Sequence, residues 1–168
     1  MALIYPDKLK NRVTDITLDD LRALGVRGLL LDVDNTLTTH GSQALSSAVE
    51  EWLREMRRAG IRLTVVSNGM PARVRPFAER IGLRFIAFAC KPSPIGFWRG
   101  ARRLGLPLKE CAAVGDQTFT DIVGSRLAGV RSIQLLPIQY EHQPTLRFKR
   151  WLERGILRRY RQRHPDGS

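Results

Sequence analysis

Gly28-Leu29-Leu30-Leu31-Asp32-Val33-Asp34-Asn35-Thr36-Leu37 is the stretch on which the fold turns. A run without polar alternation gives way to two carboxylates two positions apart, an amide and a hydroxyl. The unalternated run predicts a central strand covered on both faces. Open α/β sheets bind ligands outside the carboxyl ends of their strands, so Asp32 and Asp34 are expected to open into a crevice. Two acids this close repel unless a cation sits between them or one is protonated, and hard oxygen ligands suit Mg2+ far better than zinc. The other reading of an Asp-x-Asp pair is a turn, with one acid capping it and Asn35 and Thr36 as ordinary turn residues.

Three more apolar runs end in polar groups. Residues Ile61 to Val66 predict a second strand that stops at Ser67-Asn68-Gly69-Met70-Pro71, with Pro71 in the first turn of a helix. Ser67 is placed there to hydrogen-bond an oxyanion. Arg84 to Ala89 predicts a short third strand running into Cys90-Lys91-Pro92, with Ser93 and Pro94 opening the next helix and Lys91 projecting from the strand end. Cys111 to Val114 predicts a fourth strand, closed by Gly115-Asp116-Gln117-Thr118-Phe119-Thr120-Asp121, which brings two further carboxylates.

Helices are expected between these runs. Thr17-Leu18-Asp19-Asp20 has the form of a capping box, opening a short helix that Gly25 ends. Val49, Trp52, Leu53 and Met56 follow helical spacing, which makes Trp52 a core residue, and Val74, Phe77, Ala78 and Ile81 repeat the pattern. Ile95, Trp98 and Ala101 mark another helix, and Val130 to Leu136 a last strand. Alternating strands and helices predict an α/β fold with a doubly wound parallel sheet of about five strands.

A chain of 168 residues predicts one domain. No stretch reaches the roughly 18–20 apolar residues of a transmembrane helix. The start, Met1 to Asp7, has no basic segment leading into an apolar core, and Cys90 and Cys111 make no disulfide framework, so a cytoplasmic protein is expected. Between Asp34 and Ser67 there is room only for a short flap, Thr38 to Leu45, and one helix. His40 and Gly41 in the flap are turn residues or substrate contacts.

The net charge is +12, and half of it lies from Arg147 onward, where eight basic residues face only Glu153 and Asp166. On a helix, Arg147, Arg150, Arg154, Arg158 and Arg161 form a stripe, with Phe148, Trp151, Leu152, Ile156 and Tyr160 on the broad opposite side. Residues 147–168 are therefore expected as a basic amphipathic extension of a domain spanning 1–146. Such a helix either meets an anionic membrane surface or packs its apolar side on its own domain.

In chain order, Asp32-Val33-Asp34-Asn35-Thr36, Ser67-Asn68, Lys91-Pro92 and Gly115-Asp116 with Asp121 resemble the haloacid dehalogenase (HAD) superfamily of phosphatases, in its small-cap subfamily III. The resemblance covers about Gly28 to Leu136 and implies a Rossmann-like core with a minimal cap. It implies Asp32 as nucleophile, forming an aspartyl-phosphate, and Asp34 as general acid and base with a pKa nearer neutrality. It implies Mg2+ held by the carboxylates of Asp32 and Asp116 and the backbone carbonyl of Asp34. Ser67 and the amide of Asn68 would bind phosphoryl oxygens, Lys91 would neutralise charge, and Asp121 would support the site or pair with Lys91.

With Pro6-Asp7 and the block from Gly115 to Asp121 added, the chain is similar to the small HAD phosphatases that include the phosphatidylglycerophosphatases. In the superfamily caps usually enclose small substrates. An uncovered site is thus expected to take a phosphate carried on something large, such as a phospholipid head group at a membrane. A nucleic-acid phosphatase of the same fold, to which the positive charge is also suited, a small-metabolite phosphatase of that fold and a non-enzymatic basic binding protein are the alternatives.

Overall fold

The computed structural model describes residues 3–138 and 144–164, with side chains given from Leu152 onward in the second segment. In chain order the elements are β1 (Lys8–Lys10), α1 (Leu18–Leu24), β2 (Gly28–Leu31), α2 (Ser47–Arg58), β3 (Arg62–Val66) and α3 (Pro71–Arg80). They continue with β4 (Arg84–Ile86), α4 (Ile95–Leu104), β5 (Cys111–Gly115), α5 (Val123–Ala128), β6 (Arg131–Leu135) and α6 (Pro144–Arg163). The sheet has six strands, all parallel, in the order β1-β6-β5-β2-β3-β4.

Leu29, Leu30 and Leu31 explain why the sheet is doubly wound. Each is essentially inaccessible to water, and successive side chains leave opposite faces. Leu29 and Leu31 join the core built with α1, α2 and α3, whereas Leu30 joins the core built with α4 and α5. Truncating any of them to alanine would cost about 2–5 kcal/mol. From β2 the chain moves outward through β3 and β4, then crosses back to β5 on the other side of β2. The reversal leaves a crevice at the carboxyl ends of β2 and β5, where Asp32 and Asp116 follow.

Three expectations change at this level. The edge strand β1 has no counterpart in the sequence pattern, because three residues are too few for periodicity. It is held by tertiary contacts: Ser132 donates to Asp7 Oδ2 from its backbone at 2.8 Å and its hydroxyl at 3.1 Å, and Arg126 lies 3.2 Å from Asp7 Oδ1. The strand expected to reach Ala89 ends at Ile86, since Phe88 and Cys90 adopt φ of +50° and +57°, which no strand accommodates. In α4 the buried face is Phe97, Ala101 and Leu104, while Ile95 and Trp98 are exposed. Gly96 and Gly100 set that face, because a Cβ on either would meet Ala89 or Leu30 at under 3 Å.

Candidate active site

Four strand ends deliver the site. The backbone N–H of Asp32 still donates to Val114 O at 2.9 Å, so its side chain leaves from the last paired position of the β2–β5 ladder. Asp116 follows β5 directly. Asp121 lies in a single π-turn, Thr118–Ile122, an irregularity that recurs at functional sites. Carboxylate oxygens of Asp32, Asp116 and Asp121 all lie within 4.8 Å of one another, and all three residues are buried. Gly115 permits this: a Cβ there would stand 2.7 Å from that of Asp121.

Lys91 enters the same cluster. Its Nζ is 2.9 Å from Asp32 Oδ1 and 2.6 Å from Asp121 Oδ1, and its side chain is only 3% exposed. Burial pushes the Asp32 carboxyl up to about 6; the Lys91 charge opposes this and the Asp121 charge adds to it. Burial alone would lower the Lys91 pKa, but the charges of Asp121 and Asp32 outweigh it and hold the ammonium well above its ordinary value. Three acids against one ammonium, with only hard oxygen donors, form a set that fits a divalent cation such as Mg2+.

Asp34 does not send its carboxylate into this cluster. Its Oδ1 accepts from Gly41 N–H at 2.9 Å and from Arg73 at 2.9 Å. The same Arg73 nitrogen donates to Ser42 O at 2.7 Å, Gln43 donates to Arg73 O at 3.1 Å, and Arg80 donates to Gln43 O at 2.8 Å. The flap is thereby laced to α3, with Asp34 in the lacing. Gly41, at φ +73°, is a turn residue whose N–H faces that acid. Arg73 thus holds the Asp34 side chain while Asp121 stands with Asp32 and Asp116; the group expected to face a metal from Asp34 is its backbone carbonyl, not this carboxylate. Nothing in the sequence marks Arg73 beyond its place in the first turn of α3.

Ser67 is buried at the end of β3, its hydroxyl accepting from Gly69 N–H at 3.1 Å. Asn68 has a further job for its side chain: Nδ2 donates to Lys91 O at 3.0 Å, and Lys91 N–H donates to Oδ1 at 2.7 Å. The loops after β3 and β4 are thus tied together. The left-handed Cys90 lies immediately before Lys91, and strained non-glycine backbone of this kind clusters at functional sites.

Residues 42–129 match the family of haloacid dehalogenase-like hydrolases. A protein from Bacillus subtilis (strain 168) named "Probable phosphatase YqeG" is 35% identical over 152 residues, covering 90% of this chain and 88% of that protein. The chain belongs to the haloacid dehalogenase-like hydrolases. It is a HAD-type phosphatase, with further phosphatases among its relatives. A "Phosphoserine phosphatase" of Thermus thermophilus is 34% identical over 126 residues, 70% of this chain and 44% of that protein. A "Phosphatidylglycerophosphate phosphatase 1, chloroplastic/mitochondrial" of Arabidopsis thaliana is 25% identical over 155 residues, 81% of this chain and 44% of that protein. Among solved structures, an uncharacterized protein from Listeria monocytogenes serotype 4b shares the fold, with a TM-score of 0.58 at 19% identity over 71% of this chain and 85% of that one.

In this HAD phosphatase, α6 lies against the catalytic core. Glu153 is buried, and its Oε1 accepts from Thr118 N–H at 2.9 Å, two residues beyond Asp116. Tyr160 is buried too, its ring 6.1 Å from that of Tyr5 and 4.5 Å from that of His164. The apolar side of the helix is therefore committed to the domain at Tyr160. Of the arginine stripe, Arg154, Arg158 and Arg161 line a cavity of about 510 Å³ that also has Asp116 on its wall. Side chains of Arg147, Phe148, Lys149, Arg150 and Trp151 lie outside the described residues. Among the described residues, no helix is long and apolar enough to cross a membrane.

Proposed function

We propose that this phosphatase is a Mg2+-dependent phosphomonoester hydrolase that works through an aspartyl-phosphate and acts on a phosphate presented at a membrane surface, such as that of phosphatidylglycerophosphate. The observation that carries the chemistry is the buried cluster in which Lys91 holds Asp32 while Asp116 and Asp121 stand within 4.8 Å.

With Oδ1 of Asp32 engaged by Lys91 at 2.9 Å, Oδ2 is the oxygen left to attack phosphorus. The P–O bond to the alcohol breaks as the new acyl-phosphate bond forms, and Asp34 gives its proton to the departing alkoxide. Asp34 then takes a proton from the water that attacks phosphorus, which frees Asp32 and inorganic phosphate. Ser67 and the backbone N–H of Asn68 are the donors for phosphoryl oxygens, and Lys91 offsets charge on nucleophile and phosphate. Asp32, Asp116 and the backbone carbonyl of Asp34 would hold Mg2+, with Asp121 beside them; bound there, the ion would reduce repulsion between two anions.

Support for a lipid substrate comes from the shortness of the flap and from Met70 and Phe88, each 61% exposed on the loops that carry Ser67 and Lys91. The name of the Arabidopsis relative points the same way. The test is phosphate release with Mg2+ from an aryl phosphate, abolished in Asp32→Asn, followed by a screen of phosphatidylglycerophosphate against nucleotide and sugar phosphates and a 5′-phosphorylated oligonucleotide. Turnover of the oligonucleotide alone would transfer the reading to nucleic acid, to which the +12 charge is also suited. Failure to cosediment with anionic vesicles at low ionic strength would remove the membrane from the proposal.

A further inference from the structure

Arg154, Arg158 and Arg161 stand at i, i+4 and i+7 on α6, along one side of the helix. Like charges at these spacings disfavour a helix, so the arrangement calls for something that compensates it. Other arginines of the fold have protein partners: Arg62 donates to Leu104 O, Arg73 to Asp34 and Arg126 to Tyr5 O. Among the described residues, no hydrogen bond or ion pair is found for Arg154, Arg158 or Arg161.

The three are exposed side chains, and they gather around one concavity. All three line the cavity whose wall includes Asp116, with Leu136 and Leu157 adding apolar surface. Glu153, the one acid on this part of the helix, accepts from Thr118 N–H and so fastens α6 to the loop bearing Asp116. The cavity thus has Asp116 on its wall and a row of arginines running about 10 Å along the helix, at 1.5 Å per residue. Guanidinium groups bind phosphate oxygens in bidentate pairs, and three of them around one concavity can meet the same anion from several sides.

We infer that α6 supplies a second anion subsite, in which Arg154, Arg158 and Arg161 recognise a phosphate-type group of the substrate separate from the phosphate being hydrolysed. This rests on the phosphatase reading and adds to it a substrate class: phosphomonoesters that carry a second anion, either a phosphodiester or another phosphate. The arginines are specificity residues in this assignment, with no part in bond breaking.

The test compares kcat/KM, with Mg2+ present, for deacylated phosphatidylglycerophosphate, which has a phosphodiester beside its phosphomonoester, and for 4-nitrophenyl phosphate, which has one phosphate alone. In Arg154→Gln/Arg158→Gln the ratio between the two is expected to fall about 100-fold, roughly tenfold for each guanidinium removed, mainly through KM. Arg159→Gln removes the same charge outside the cavity and is expected to leave the ratio unchanged. A double variant within twofold of wild type, or an equal fall in Arg159→Gln, overturns the inference.

A dihexanoyl phosphatidylglycerophosphate arm, kept below its micellar concentration, separates the two sources of the anion. An equal fall with and without acyl chains assigns the subsite to the anion itself, and a fall confined to the acylated ester overturns that assignment. Should the wild type hydrolyse no phosphomonoester, the phosphatase reading fails on its own. Calorimetric binding of glycerophosphoglycerol to wild type and double variant then still reads the subsite, weaker binding in the variant supporting it and equal binding overturning it.

Discussion

Replacing Lys91 by methionine keeps most of the side-chain volume and deletes the charge that joins Asp32 to Asp121. Breaking a buried ion pair from one side costs about 3–5 kcal/mol, which for a chain of this size lowers Tm by roughly 6–20 °C. The pH dependence of that deficit is the sharper quantity. In the metal-free wild type Asp32 is raised from 3.8 to about 6, so the fold is most stable below 3.8 with respect to this group and loses stability as pH rises through 6. Without Lys91 the folded pKa moves higher still, and the loss continues above pH 6 at up to ~1.4 kcal/mol per pH unit. The difference between wild type and Lys91→Met is therefore expected to be larger at pH 8 than at pH 5. Thermal unfolding in a chelator, scanned over that range, measures it. A deficit identical at pH 5 and pH 8 would refute the view that Lys91 holds ionised carboxylates in place. Turnover should fall at least 100-fold, because the phosphate loses a buried cation.

Three other outcomes follow from the same geometry. Gly115→Ala forces the Asp121 side chain out of its place beside β5, and kcat should drop more than about tenfold, read alongside Tm to show that the fold persists. Arg73→Ala frees Asp34 and the flap. It should slow esters with poor leaving groups by about 10–100-fold and 4-nitrophenyl phosphate far less, since only the former need the proton. Mg2+ and the Asp32 proton compete, so the affinity for Mg2+ should weaken about tenfold per pH unit below 6 and level off above ~7; calorimetry between pH 5 and 8 checks this, and a flat profile would count against Asp32 as a ligand.

The parts of the fold legible in sequence are those fixed by burial over several residues. Leu29 to Leu31 announce a strand covered twice, and the Thr17–Asp20 pair announces a helix start in which both hydrogen bonds are present, at 2.9 and 3.2 Å. Asp32, Ser67, Lys91 and Asp116 stand out because each follows an apolar run that a sheet must end. Arg73 and the side-chain role of Asn68 are out of reach, since both depend on which loops become neighbours once the sheet order is known. The same holds for α6: its periodicity separates arginines from apolar residues, yet which side faces the core depends on Glu153 finding Thr118 and Tyr160 finding Tyr5.

The paired hydrogen bonds between the Asn68 side chain and the Lys91 backbone make one frame of two loops. Spacing between the oxyanion donors and the facing ammonium is then the same whatever rests above them. Libraries aimed at new substrates belong elsewhere: at Arg154, Arg158 and Arg161, where diversity alters what is admitted while the machinery that cuts is inherited intact.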